Sequence, residues 1–545
     1  MRLKAFGIVP ESGLIPNVFK NLKDRLKYEP VLLYYRPTLF VEETHYTPNI
    51  MLLHPQIGIV LINVKNWNRQ FLSRVFWDNH GRMVVNGKVY PNPLDEFRDI
   101  VRALTFLFRG KYNVSYFIYL PNVTKGEYET LLSFSSKVCE DRIFFKYDKD
   151  LKEKILKSAG AVRFTPAEEE DFNPLREKLF PYLKLENGGV LDLLQEEIIH
   201  NVGEGLRIVR GAAGTGKTAV LASKAKFEGI YKNREVVIFT FIRSLLQEFQ
   251  RRLNGEIECY SIDPFIKRLE PRYNFANLEE IVEKLEIPEE DKYDVVICDE
   301  VQDFKAPYFK FIKKLVKPNG QLLFGVDETQ RIYEWSNWTW KDVGINAKGR
   351  VTIFRKSYRN PSKIIEIGVR FLQKDPVLIK ELKELEALDV NEVCSQREGG
   401  NLICVSDTLL AHFLKKHYKP NETFVLVPTP IELEKYAEIL RKHRIKTTIF
   451  RGEVDLNKIE PDRYVLTTFR SAKGMERKNV AIVINGEVMN RMILTKRDER
   501  LWRKAIYVAI TRAQENILIV GSGKFFDELM EIKIEMDERE VLRKR

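Results

Sequence analysis

The chain is poor in cysteine and histidine and contains no long apolar run. Its five cysteines, Cys139, Cys259, Cys298, Cys394 and Cys404, are scattered, with no C-x-x-C pair. That argues against a disulfide-stapled secreted scaffold and against a zinc ribbon, and reduced, buried thiols of a cytoplasmic protein are expected. The seven histidines show no metal-ligand spacing. No apolar stretch approaches the roughly 18 residues that a membrane span needs, so no membrane partner is expected. The opening residues, Met1-Arg2-Leu3-Lys4-Ala5-Phe6, lack a long apolar segment and a small-residue cleavage site, and no signal peptide is expected. No internal repeat or low-complexity tract stands out.

What is present is basic and globular. Net charge is +12 and the pI about 9.1. That balance permits a polyanionic partner such as nucleic acid, and it equally describes a lysine-rich solvated surface. Hydrophobic residues make up 44% of the 545 and charged residues 30%, which provides ample core. The length suggests about three or four domains.

The most informative stretch is residues 211–218, Gly-Ala-Ala-Gly-Thr-Gly-Lys-Thr, which fits G-x-x-x-x-G-K-[ST]. In such a loop, Gly211, Ala212, Ala213, Gly214, Thr215 and Gly216 offer backbone N–H groups to a phosphate chain. Lys217 reaches the β- and γ-phosphates, and the Thr218 hydroxyl holds Mg²⁺. The apolar run Leu206–Val209 before it and the helix formers after it supply the strand–loop–helix context that the pattern requires. ATP with Mg²⁺ is the expected cofactor pair.

Three regions follow from composition. Residues 1–160 mix short strands and helices. Residues 161–185 read as a linker, with the acidic run 168–171 and Pro166, Pro174 and Pro181. From 186, short β-branched runs alternate with amphipathic stretches, which predicts parallel sheets flanked by helices. Strands are expected at 236–241, 295–298, 321–326, 351–354, 424–427, 447–450, 464–468, 480–484 and 517–520. The span is too long for one sheet and divides better into two α/β domains, 186–360 and 361–545.

The strand Val295–Cys298 ends in Asp299-Glu300. A carboxylate at a strand tip can hold Mg²⁺, and the next can polarise an attacking water. The continuation Asp-Glu-Val-Gln-Asp, residues 299–303, resembles the D-E-x-Q-D motif of superfamily 1 helicases, the UvrD/Rep/PcrA branch. Other motifs follow in the family's order. Residues 191–195, ending in Gln195, resemble the Q motif, and 240–243 resemble T-F-T-N. Residues 325–335 resemble G-D-x-x-Q-S-I-Y-x-W, and Ser357-Tyr358-Arg359 resembles N-Y-R. Residues 468–476 resemble T-x-H-x-A-K-G-L-E, and 507–513 match Y-V-A-x-T-R-A. The resemblance covers roughly 186–525 and implies two RecA-like parallel-sheet domains of a P-loop NTPase.

The resemblance also implies roles. Gln195 would read the adenine, Tyr358 would stack on it, and Glu476 would contact the ribose. Gln330 would sense the γ-phosphate, while Arg359 and Arg512 would stabilise the charge that develops during phosphoryl transfer. Single-stranded DNA, or DNA with single-stranded tails, would lie over Phe241, Tyr333 and Trp335, with 3′→5′ polarity. A core position for Phe241 competes with this role. For Trp338 and Trp340, core packing and extra stacking are both open. The histidine of the T-x-H-x-A-K-G-L-E motif is Arg470 here, which could add a phosphate contact. Fewer than sixty residues separate Phe241 from Asp299, and about a hundred separate Arg359 from Thr468. The accessory insert of the family is therefore reduced, and translocation is a safer expectation than processive unwinding.

Residues 54–67 and 91–94 resemble the NERD (nuclease-related) domain, a nuclease-like α/β fold. Lys65 is retained, but the family's two metal-binding carboxylates fall at Asn49 and Asn63, and amides bind Mg²⁺ poorly. The expectation is a degenerate nuclease site on a domain kept for DNA binding or docking, with Glu42, Glu43 or Glu96 as the alternative carboxylates. The reading is therefore a cytoplasmic ATP-dependent helicase or translocase with DNA-stimulated ATPase. Its alternatives are a DNA-binding ATPase switch and a helicase–nuclease.

Overall fold

The structure is a computed structural model that describes every residue except 1, 42–43, 56, 79–81, 91–95, 133–141, 149–152, 156–167, 187, 385–388, 452–458 and 545. Glu42 and Glu43 lie outside the described residues, as does the side chain of Glu96. The chain forms two compact units, Met1–Gly203 and Glu204–Arg545.

The first unit is built on a six-stranded sheet whose spatial order follows the chain: β1 (Lys4–Phe6), β2 (Leu32–Tyr35), β3 (Ile50–His54), β4 (Gly58–Val64), β5 (Val114–Leu120) and β6 (Ile143–Phe145). Strands β2, β3 and β4 pair antiparallel, and β4, β5 and β6 pair parallel. Helix α1 (Leu14–Leu26) places Phe19, Leu22 and Leu26 at apolar spacing, and they join Leu33, Leu52, Val60 and Ile62 in one core. Burial of each such side chain contributes about 1.5–3 kcal/mol.

The unit closes with helix α2 (Leu193–Asn201), started by a capping box in which Asp192 Oδ1 accepts from the Gln195 N–H at 2.7 Å and Gln195 Oε1 accepts from the Asp192 N–H at 2.9 Å. Glu196 on this helix is fully buried, accepting from the Tyr34 hydroxyl at 2.8 Å and from Arg176 Nε at 2.7 Å. Burial opposes its charge, but Arg176, His200 and Tyr34 together hold its carboxyl below the usual range.

The second unit contains two all-parallel six-stranded sheets. The first has β7 (Gly205–Gly211), β8 (Val236–Thr240), β9 (Glu258–Ser261), β10 (Tyr293–Asp299), β11 (Val316–Val326) and β12 (Val351–Phe354), in the order β9-β8-β10-β11-β7-β12. The second has β13 (Asn401–Val405), β14 (Thr423–Val427), β15 (Thr447–Ile449), β16 (Tyr464–Thr468), β17 (Arg477–Asn485) and β18 (Ala513–Ser522), in the order β13-β18-β17-β14-β16-β15. The fold is α/β with parallel sheets, as the alternation of apolar runs and amphipathic stretches predicts.

Central strands such as β8, β14 and β16 are buried along their whole length, which is why they read as continuous apolar runs. The sequence reading does not anticipate the edge strands β9 and β13. Both are partly exposed; β9 carries Glu258 and Ser261 and forms no apolar run, whereas β13 contains the short apolar run Leu402–Val405.

The buried Arg176–Glu196 pair generates a stability test. Glu196→Ala leaves a fully buried guanidinium without its carboxylate and should cost about 3–5 kcal/mol, measured by urea denaturation. Glu196→Gln, which keeps an acceptor for Tyr34, should cost less. Equal and small losses in both variants would show that the pair does not hold the unit together.

Candidate functional site

In parallel sheets the crevice at the carboxyl ends of the strands is where side chains from several strands converge. The loop after β7 is such a crevice. Gly214 and Gly216 take left-handed backbone angles, φ 74° and 86°, which open the loop and let helix α3 (Lys217–Lys226) begin directly behind it. The Tyr358 N–H donates to Gly214 O at 2.9 Å, bracing the loop from the segment after β12. Lys217 Nζ donates to Gly211 O at 2.8 Å and Ala212 O at 3.2 Å, so its amine is folded into the loop. Thr215 and Ala213 are buried within it.

Strand order supplies the other side. Strand β11 lies between β7 and β10, so the residues after β11 stand between the loop and the carboxylates at the end of β10. The Thr218 hydroxyl donates to Asp299 Oδ2 at 2.7 Å. Asp299 is fully buried against Gly325, where an added Cβ would lie 2.2 Å from Asp299 Oδ1. Burial and then the charge of Glu300 push the Asp299 carboxyl up to about 6.

Glu300 has a left-handed backbone, φ 54° and ψ 39°, a costly state for a non-glycine residue that persists where the surroundings over-determine it. Burial works against its charge, but Lys473, Lys217 and Arg512 hold it below the usual carboxylate range. The donor set fits a divalent cation and a phosphate chain: hard oxygens from Thr218 and Asp299, an amine from Lys217, and backbone N–H groups at a helix start.

A hydrogen-bonded line then crosses the unit. Asp327 Oδ2 lies 3.9 Å from Lys217 Nζ and accepts from Gln330 Nε2 at 2.6 Å. Gln330 Oε1 accepts from Arg512 Nη2 at 3.0 Å. Arg512 sits at the end of helix α4 (Lys496–Ile510), just before β18. Burial and the neighbouring Arg359 lower its guanidinium to about 10. Two cations held together in this way suit an anion between them. Arg359 donates to Glu476 Oε2 at 2.9 Å and to Thr511 O at 3.0 Å. Arg359 and Glu476 are therefore paired with each other, and Gln514 also donates to Glu476 at 2.9 Å. Tyr358 keeps an exposed ring.

The aromatic residues form a row beside this site. Tyr333 and Trp335 stack at 4.6 Å with 14° between their planes, and Phe241, at the end of β8, meets both edge-on at 5.9 and 6.1 Å. Phe241 is only half-buried, and Trp335 is 39% exposed. Burial raises the Tyr333 hydroxyl above its usual range, with Asp303 adding to the shift and the exposed Arg470 opposing it. Trp338 and Trp340 belong to the core: Trp338 is 4% exposed, donates to Phe304 O at 2.7 Å and packs on Phe309, while Trp340 lies flat on Phe324.

The structure brings together Lys217, Thr218, Asp299, Glu300, Gln330, Arg359 and Arg512. Gln195 belongs to the first unit, where its side chain is engaged in the capping box of α2. Asn49, Asn63 and Lys65 also lie there. Asn63 is on β4, and Asn49 Oδ1 accepts from the Val64 N–H at 2.7 Å, a structural bond to that strand. Among the described residues, no group of three His, Cys, Asp or Glu side chains is placed to hold a metal ion.

Three residues of the site carried no assigned role in the sequence reading. Lys473, fully buried, donates to Asp303 Oδ1 at 2.7 Å and Gln330 O at 2.8 Å and lies 3.4 Å from Glu300. Asp327 bridges Lys217 and Gln330. Asn360 donates to Thr511 O at 2.9 Å and Ala513 O at 2.7 Å. All three lie in or next to quoted motifs, but only their partners show their use.

Residues 195–336 match a family described as an AAA domain. No curated protein matches the chain significantly. One solved structure that resembles it is the C-terminal domain of a possible DNA helicase from Lactobacillus plantarum WCFS1, at 16% identity and a TM-score of 0.23, covering 32% of this chain and 94% of that one. At that score the likeness says nothing about fold or function. The loop geometry and the family match make this a nucleotide-binding domain of the P-loop type.

The contact at Gly325 is testable. In Gly325→Ala the new Cβ must push Asp299 off the Thr218 hydroxyl. Affinity for a fluorescent ATP analogue in the presence of Mg²⁺ should fall by about tenfold or more, with little change when Mg²⁺ is omitted. Unchanged Mg²⁺-dependent affinity would mean that Asp299 is not positioned through Gly325.

Proposed function

We propose that the chain is an ATP-driven motor of the superfamily 1 helicase type, UvrD-like, that moves along single-stranded DNA with 3′→5′ polarity. The observation that carries this reading is the loop after β11. Its first residues, Asp327 and Gln330, lie on the line from Lys217 to Arg512, and its last, Tyr333 and Trp335, form the stacked aromatic row. A change at the phosphates is thereby transmitted to the aromatic grip through about six residues of one loop.

Lys217 would hold the β- and γ-phosphates, and Thr218 and Asp299 would hold Mg²⁺, which when bound neutralises charge on the phosphate oxygens. Glu300 would accept a proton from the attacking water. Its depressed pKa keeps it ionised and able to do so. Arg359 and Arg512 would stabilise the equatorial phosphate oxygens, with Arg359 exchanging Glu476 for phosphate and Glu476 turning to the ribose. Tyr358 would stack on the adenine. Because Arg512 comes from the second parallel sheet, turnover would depend on closure of the two sheets about the nucleotide.

Phe241, Tyr333 and Trp335 offer sequence-tolerant stacking surfaces, and Arg470 a phosphate contact. DNA with single-stranded tails would load the motor, and the short accessory segment favours translocation over processive unwinding. Residues 1–160 are read as a degenerate NERD-like nuclease domain. Asn49 and Asn63 stand where carboxylates would be needed, so it would dock or bind DNA without cutting it. Such a motor would work in the cytoplasm.

Phosphate release with and without oligo-dT tests the reading. DNA should stimulate the rate. Arg512→Ala should lower it by about a thousandfold or more, and Lys217→Ala and Glu300→Gln should abolish turnover. A rate indifferent to DNA would overturn the motor.

A further inference from the structure

The phosphate loop occupies the carboxyl ends of the first parallel sheet. A second cleft follows the outer edge of the same sheet toward its amino ends. Strand β9 is the outermost strand and pairs with β8 alone, in parallel register from Val237–Glu258 to Thr240–Ser261. Two cavities run beside it. One, about 510 Å³, lies along Cys259, Tyr260 and Ser261, between the helix Arg243–Leu253 that precedes the strand and the helix Ile262–Leu269 that follows it. The other, about 560 Å³, continues along Glu256, Ile257 and Glu258 to Val236 and Tyr293, the first residues of β8 and β10. Arg268 lines both, its guanidinium over Tyr260 and Phe265 at 4.8 and 4.6 Å from the ring centroids.

An edge strand presents a row of N–H and C=O groups that no neighbouring strand takes up. The stretch 256–261, Glu-Ile-Glu-Cys-Tyr-Ser, has no proline or lysine to discourage pairing. Its two glutamates instead set the sign of charge that an added strand must carry. The larger cavity repeats that bias. Phe265, Leu269, Leu285 and Ile287 give it an apolar floor, with Leu269 38% exposed. Its lining carries six carboxylates, Glu286, Glu290 and Asp291 among them, and three cations. Of those cations, Arg234 is engaged by the buried Glu228 at 3.1 Å and Lys292 by Glu289. This acidic rim stands on a chain of net charge +12. It repels a polyanion such as nucleic acid and complements a basic segment.

We propose that the free edge of β9 docks an extended segment of a partner protein in which apolar and basic residues alternate. The backbone of that segment would add a seventh strand over residues 256–261, a span of roughly 20 Å. Alternate side chains of a strand point to opposite faces, so apolar ones would enter the cavity over Leu269 and Leu285 while basic ones reach Glu286 and Glu290. The site lies away from Lys217 and Glu300, and it recruits a partner without entering the nucleotide crevice. It goes beyond the motor reading and does not depend on it.

Phage display of random peptides of about 10 residues, long enough to cover the edge, tests it on the full chain. Enriched sequences should alternate apolar residues with Lys or Arg. A synthetic peptide of the enriched sequence, followed by fluorescence anisotropy, should bind more weakly as salt is raised. The double variant Glu286→Lys, Glu290→Lys should lose about tenfold in affinity for it. Amide exchange at 256–261 should slow when the peptide is bound. ATP turnover without DNA and the melting temperature of the double variant should match wild type, since both glutamates are exposed. Enrichment of acidic peptides or of none, slowed exchange elsewhere instead, or an affinity unmoved by the charge reversal would overturn the site. So would a concentration-dependent dimer protected at 256–261 without peptide, which would make a second copy of the chain the occupant. None of these outcomes bears on the motor reading, which phosphate release with oligo-dT tests separately.

Discussion

The second unit depends on one balance of buried charge. Glu300, Asp303 and Asp327 stand at the ends of the strands of the first parallel sheet, and Lys473 and Arg512 come from segments around the second. Burial pushes the Asp303 carboxyl up to about 7, with Lys473 as the main counterweight and Glu300 adding to the rise. A buried ion without its partner is far more costly than the pair. Neither half of the unit is therefore electrically complete alone, and anything that adds negative charge beside Lys217 must rearrange the contacts of Lys473 and Arg512.

That balance explains why the loop after β11 matters more than its length suggests. It leaves a strand lying between the phosphate loop and the Asp299–Glu300 pair. Asp327 and Gln330 face the charged cluster, Ile332 packs into the core of the second sheet, and Tyr333 and Trp335 leave into the aromatic row. A segment tied at both ends to buried groups cannot shift one end without moving the other. The strained backbone of Glu300 and the close fit of Asp299 against Gly325 belong to the same tightly specified region.

Much of this was legible in the sequence for local reasons. The phosphate loop is a contiguous pattern whose glycines and lysine act through nearby backbone. The buried parallel strands are continuous apolar runs, since both faces are covered. The edge strand β9 was not legible, being short and half-polar, whereas β13 carries the short apolar run Leu402–Val405 and was missed. Lys473 looked like any lysine, and only its contacts with Asp303 and Gln330 show it as a buried counter-ion. Trp338 and Trp340 share with Trp335 the same polar-looking stretch, yet two are core and one is exposed, because the turn of the loop decides which way each ring points. Gln195 illustrates the converse: its local use, capping α2, follows from the Asp-x-x-Gln spacing alone.

By itself the sequence determined a P-loop nucleotide-binding domain, an α/β architecture with parallel sheets, and the clustering of aromatic residues after β11. All of these come from residues close together in the chain, where spacing and hydrophobic period leave a readable trace. Only the tertiary structure decided that β11 lies between β7 and β10, that Arg512 bonds to Gln330 across 182 residues, and that Arg359 pairs with Glu476. Contacts at such separations impose no period on the sequence. They are selected by packing and by the cost of leaving a buried charge unpaired, which exist only once the chain has folded.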